Sequence, residues 1–334
     1  MNRRKFVNKT AKTGLAITFL GGYACKQGKK EVDNVIADEE ISLAATEPFF
    51  KLSLAQWSIN KMIREGGVDP YTFAEKAANW GFSGLEYVSQ LYKTELEAAD
   101  YSEEAMKNFV DKCNAEAEKY GLENVLIMID RQGDLAAADE KERKVAVENH
   151  YKWVDAAAAM GCHSIRVNLN GVQEPEGWMA ASVDGLTQLA TYAKDKKINI
   201  IVENHGGLSS NAAMLANVMT TVNMDNCGTL PDFGNFCVKR ESGDYYDSKC
   251  IEEYDKYQGV AELMPHAKAV SAKAYDFDEN GDETKIDYSR ILKLVKEAGY
   301  TGYVGVEYEG SNLSEEEGIL ATKNLLIKAG SALA

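Results

Sequence analysis

The chain has 334 residues, 45% of them hydrophobic and 27% charged, with a formal net charge of −15. That is enough chain for a large core, and the acidic balance argues against a nucleic-acid partner, because phosphate contact needs a basic surface. The imbalance sharpens beyond the N-terminus: residues 1–30 hold eight Lys and Arg and no acid, leaving 29 bases against 52 acids, a net of −23.

The N-terminal segment reads as an address. Arg3, Arg4, Lys5, Lys9 and Lys12 form a basic head, followed by a short apolar run from Gly14 to Gly22. The run is too short to span a bilayer, which takes about 20 residues, and suits an export signal over residues 1–25. Arg3-Arg4 resembles a twin-arginine signal. Tyr23-Ala24-Cys25 resembles the end of a lipobox, with Gly22 standing where a branched aliphatic residue is usual. Cys25 is therefore the candidate lipid anchor, the one expected link to a membrane, and the expected location is the periplasm or its membrane face. Residues 26–48 are polar, acidic and without period, as in a tether.

From residue 49 to 334 a rhythm follows. Strand-like runs at Lys51–Trp57, Gly84–Val88, Val125–Ile129, Ser164–Leu169, Ile198–Glu203, Cys227–Asp232, Ala267–Ala272 and Tyr303–Tyr308 alternate with helical patterns. The helices are expected at Pro70–Trp80, Glu103–Tyr120, Lys141–Met160, Val183–Lys196, Asn211–Val222, Ile251–Leu263, Tyr288–Ala298 and Glu315–Ala329. Eight strand–helix units with amphipathic crossovers predict an α/β fold, a single (β/α)8 TIM barrel. No Gly-rich phosphate loop follows the first strand, against a doubly wound sheet. Gly81-Phe82-Ser83-Gly84 and Gly299-Tyr300-Thr301-Gly302 each read as a helix C-cap leading into a strand, a weak internal repeat.

In such a barrel the C-terminal strand ends face the active site. The polar residues there are Gln56 and Trp57, Glu86, Asp130 and Arg131, Arg166 and Asn168, Glu203 and His205, Asp232, Ser271 and Lys273, and Glu307 and Glu309. Carboxylates at the ends of apolar strands are costly unless paired or bound to a cation. Glu203, Asp232 and Glu307 together suit a hard divalent ion, Mn2+ or Mg2+ being the expected ones. Each alone has a plainer reading as a salt-bridged rim residue.

Several ordered segments carry a resemblance: Leu54-Ala55-Gln56-Trp57-Ser58, Gly84-Leu85-Glu86-Tyr87, Ile201-Val202-Glu203-Asn204-His205-Gly206-Gly207, Pro231-Asp232-Phe233-Gly234-Asn235-Phe236, and Gly302 through Gly310 with Glu307. Over about residues 50–330 the chain resembles the sugar phosphate isomerase/epimerase family of the xylose isomerase-like TIM barrel superfamily. The resemblance implies Glu203, Asp232 and Glu307 as metal ligands, with Glu203 and Glu307 doubling as an acid/base pair on a sugar carbon. It departs on the seventh barrel strand. The usual His-x-Lys is Ser271-Ala272-Lys273 here, so the metal either keeps three carboxylates completed by His205, substrate or water, or is weakened with the Lys273 ammonium in partial compensation.

The expected function is an exported isomerase or epimerase acting on a free sugar or sugar derivative. Its catalytic candidates are Glu203, Glu307, Lys273 and His205. Its substrate-binding candidates are Gln56, Trp57, Glu86, Arg166, Asn168 and Ser271. No basic phosphate pocket is visible along the chain. Two rivals stay open: a lyase or hydratase on a 3-keto-glycoside or related oxidised sugar, and a non-catalytic sugar-binding barrel. His150, His163 and His266 are expected to be structural, and at least half of Trp57, Tyr87, Trp178 and Phe233 to be packing residues. The polar loop 235–249 is a candidate lid, and Cys237 within it and Cys250 just after it are the pair an oxidising compartment would join.

Overall fold

The computed structural model describes residues 47–243 and 248–334; the expected signal, lipid-anchor cysteine and most of the tether lie outside the described residues. Eight parallel strands form the barrel wall. They are β1 (Lys51–Ala55), β2 (Gly84–Val88), β3 (Glu123–Met128), β4 (Ser164–Val167), β5 (Asn199–Glu203), β6 (Cys227–Leu230), and, after a short hairpin of β7 (Cys237–Arg240) and β8 (Cys250–Glu253), β9 (Val270–Ala274) and β10 (Tyr303–Tyr308). The sheet runs in the order β6-β5-β4-β3-β2-β1-β10-β9. Single parallel bridges at Thr229↔Ala267 and Asp232↔Ser271 join its two edges, so the sheet closes on itself, leaving no exposed edge.

The strands are largely apolar because both faces are covered, with polar side chains placed mainly at inward positions and strand ends. Ile200, Ile201 and Val202, like Leu126, Ile127 and Met128, are fully buried, as expected of parallel strands wrapped by helices. The helices start where short polar side chains cap them. Ser102 accepts from Ala105 N, Asp139 from Lys141 N and Glu142 N, and Ser314 forms a reciprocal capping box with Glu317. Such caps each contribute about 1 kcal/mol. The repeated glycines do what the sequence predicts: Gly81 and Gly299 take φ of 73° and 75° at helix ends, the left-handed conformation that suits glycine.

Three local expectations are corrected. The helix expected over Ile251–Leu263 is confined to Lys256–Leu263, because Cys250–Glu253 pairs as β8 with β7 and Cys250 is disulfide-bonded to Cys237. The fourth expected helix starts at Pro175 rather than Val183: Glu174 caps it, and proline at its first position is preorganised for a helix. The strand expected at Ala267–Ala272 runs Val270–Ala274, extending past polar Ser271 and Lys273.

Candidate active site

Alternation along a strand sends residues i and i+2 to the same face. On β9 this pairs Ser271 with Lys273; at the end of β10 it pairs Glu307 with Glu309. Glu307 and Lys273 are direct register partners on neighbouring strands. Lys273 Nζ lies 2.7 Å from Glu307 Oε1, 3.1 Å from Glu309 Oε2 and 3.9 Å from Asp232 Oδ2. Lys273 is one of the largest fully buried side chains in the protein. Burial alone would lower its pKa, but Glu307, Glu309 and Asp232 hold it well above the usual lysine value, so it is a fixed cation.

Glu203, at the end of β5, faces a second buried cation. Arg166 Nε is 2.9 Å from Glu203 Oε2, and Arg166 Nη1 is 2.9 Å from Asp130 Oδ1. Asn168 donates to the same Asp130 oxygen at 2.9 Å. The Glu203–Arg166 pair is close but misaligned: both Glu203 Oε2 and Arg166 Nε lack a hydrogen-bond partner among the described residues. Asn235 Nδ2 donates to the other Glu203 oxygen at 2.9 Å.

Asp232 follows β6 and is fully buried. Its Oδ1 accepts the backbone N–H groups of Gly234 and Asn235, each at 2.8 Å. The Ser271 hydroxyl lies 2.8 Å from Asp232 Oδ2 and 3.2 Å from Glu307 Oε2, so one proton serves two acceptors. One oxygen from each of Glu203, Asp232 and Glu307 lies within 4.8 Å of the others. Burial pushes Glu203 up to about 7 despite Arg166, and Asp232 up to about 8 despite Lys273. Two cations therefore do not balance the acids. A divalent cation fits this donor set: three buried carboxylates converge, Glu203 Oε2 is without an aligned partner, and all the donors are hard oxygens.

Above this floor lies a cavity of about 690 Å3, whose walls include Trp57, Asp130, Arg166, Asn168, His205, Asn235, Glu307 and Glu309. Trp57 donates its indole N–H to Glu309 Oε1. Confinement by the cavity walls, and then Arg166, push His205 down to about 4, so it is neutral at pH 7.

Two other residues expected to bind substrate sit elsewhere. Gln56 is fully buried and not among the cavity walls; its amide donates to Tyr92 Oη and the Pro70 carbonyl, and its oxygen accepts from Val88 N. Glu86 points into the barrel interior, accepting from Ser53 Oγ at 2.6 Å. A Cβ on Gly305 would stand 2.4 Å from its carboxylate, so the glycine on β10 makes room for this acid. Burial pushes Glu86 up to about 8. Of Trp57, Tyr87, Trp178 and Phe233, only Trp57 is among the walls; the other three are buried packing residues, in line with the expectation that at least half would be. Asn235, which touches Glu203 through its side chain and Asp232 through its backbone, was not singled out in the sequence. Its only local signal is its place three residues after Asp232.

A family model of the xylose isomerase-like TIM barrel matches residues 74–329. The chain belongs to that family. Solved structures share its fold at low identity. The apo 3-keto-D-glucoside 4-epimerase of E. coli is 14% identical, with a TM-score of 0.59 over 83% of this chain and 98% of its own. A xylose isomerase-like TIM barrel protein from Mycobacterium smegmatis in complex with magnesium is 17% identical, with a TM-score of 0.58 over 87% and 99%. A short segment is closer to the C-glycoside deglycosidase alpha subunit of Arthrobacter globiformis, 45% identical over 49 residues. That segment is 15% of this chain and spans 14% of the relative's length.

Proposed function

We propose that this member of the xylose isomerase-like family is an exported carbohydrate isomerase or epimerase that moves a proton next to a carbonyl. The observation that carries the reading is the convergence of Glu203 and Glu307, from strands on different parts of the barrel wall, to within 4.8 Å together with Asp232. Two carboxylates so placed serve as base and acid on one sugar carbon. Glu203, pushed up to about 7, sits near neutral pH, where a carboxyl group both accepts and returns protons. Glu307 is oriented by Lys273, and Ser271 ties it to Asp232.

Glu203, Asp232 and Glu307 would hold the divalent ion, which when bound supplies polarisation of the sugar oxygens. Lys273 keeps its proton and so acts as a charge partner rather than a base. Arg166 positions Glu203, while Asn168, Trp57 and neutral His205 are available to the substrate from the walls. Export rests on the basic head, apolar run and Cys25 of the sequence.

The deglycosidase segment favours a second reading, a lyase on an oxidised glycoside. It would use the same base but expel the group on the adjacent carbon. Incubation with ketoses and 3-keto-glucosides in D2O separates the two. Deuterium incorporation with the glycosidic bond intact supports isomerisation or epimerisation, bond cleavage supports the lyase, and neither sinks both.

A further inference from the structure

The chain has eight arginines, and six of them are among the described residues. Four of those six, Arg64, Arg131, Arg166 and Arg240, line the one cavity above the carboxylates. The other two are engaged elsewhere: Arg143 with Asp184, and Arg290 stacked 3.7 Å over the Tyr257 ring. In so acidic a chain this concentration calls for a physical reason. Arg166 has one, because it offsets Glu203 and Asp130. The rest come from three separate segments at the mouth. Arg64 ends the short helix after β1, Arg131 follows β3, and Arg240 ends β7 on the disulfide-closed hairpin.

The Arg64 and Arg131 side chains are exposed and have no ion-pair or hydrogen-bond partner among the described residues. The Arg64 guanidinium lies 5.9 Å from the centre of the Trp57 ring, which itself lines the cavity. Arg131 has φ of 57°, a left-handed backbone that L side chains rarely adopt. The acids in the walls do not consume these charges. Glu307 and Glu309 are bound to Lys273, Asp130 to Arg166, and only exposed Asp134 remains.

We infer that the cavity is a two-part site: carboxylates at the floor for the reacting carbon, and an arginine rim for an acidic substituent of the same substrate. The substrate class is an acidic carbohydrate, carrying a carboxylate or a sulfate or phosphate ester on the part that projects outward. Planar guanidinium groups match all three oxyanions in paired hydrogen bonds. The inference rests on reading this cavity as the carbohydrate site.

The test is calorimetric binding of D-glucuronate, D-glucose 6-sulfate and D-glucose 6-phosphate against D-glucose, at about 20 mM and about 300 mM NaCl. At low salt at least one anion binds about tenfold tighter than glucose, and the preference shrinks in high salt. The Arg64→Ala/Arg131→Ala protein brings the ratio close to one, each single variant lowers it, and Arg290→Ala keeps it. Both rim side chains are exposed, so circular dichroism should show an intact fold. No preference for any anion overturns the inference. So does a preference that survives the double substitution, as for an anion sitting on a metal. The outcome is separable from the reaction: deuterium exchange into a neutral sugar without anion preference removes the rim and leaves the proton transfer. Arginine-dependent preference with no exchange into any probe does the reverse.

Discussion

Lys273 and Glu307 stand at the same register position on adjacent parallel strands, with Nζ and Oε1 2.7 Å apart in a fully buried setting. The pair sets a buried cation beside Glu307 on the strand where the chain departs from the His-x-Lys that the resemblance implies. The residue at the histidine position, Ser271, bridges Asp232 and Glu307 by its hydroxyl, and the lysine two residues on supplies positive charge.

Removing that charge should be costly. Lys273→Met leaves buried Glu307 without its cation and with the Glu309 carboxylate beside it, a situation that costs about 3–5 kcal/mol. Urea unfolding in the presence of chelator should show the loss, and added Mn2+ should restore part of it by binding the native state. Unchanged stability would mean that the acids are neutralised some other way.

Glu86 gives a pH signature. Its carboxyl is pushed up to about 8 in the native protein from an ordinary value of 4.5. Between those values the native state binds more protons than the unfolded state, so this group lowers stability as pH rises. Glu86→Gln cannot ionise. Its stability relative to wild type should climb from pH 5 and reach about 4 kcal/mol by pH 8. A difference that is flat with pH would place Glu86 as ionised in the fold.

Glu307→Gln keeps the side chain's shape and removes its ability to exchange a proton. Activity on the true substrate should fall by at least about a hundredfold with the circular dichroism spectrum unchanged. Near-normal turnover would move the acid/base role to another residue, Glu309 being the neighbour to examine.

The Cys237–Cys250 link closes a loop at the cavity mouth and carries Arg240. Replacing both cysteines by serine should speed limited proteolysis within residues 237–253 while the barrel resists, because a closed loop of this size restricts local opening by about 3 kcal/mol. Equal cleavage rates would show that the hairpin is held by its strand pairing alone.

The barrel and its carboxylates were legible because both are written locally. A run such as Ile200-Ile201-Val202 followed by Glu203 announces a buried strand and a polar end in consecutive residues. β9 was displaced because its inward positions are Ser271 and Lys273, polar residues that break the apolar run while facing the acids. The β7/β8 hairpin was missed because pairing of Cys237 with Glu253 is a long-range relation without local period. The arginine rim escaped for the same reason: Arg64, Arg131 and Arg240 are far apart in the chain and meet only when the barrel closes.

The convergence of Glu203, Asp232 and Glu307 makes one proposed cation site. It is tested most directly by titrating the chelator-treated protein with Mn2+ beside its Asp232→Asn variant. One ion should bind per wild-type chain, and binding should weaken at least about tenfold in the variant. Absence of binding to the wild type, or equal binding by both proteins, would contradict it.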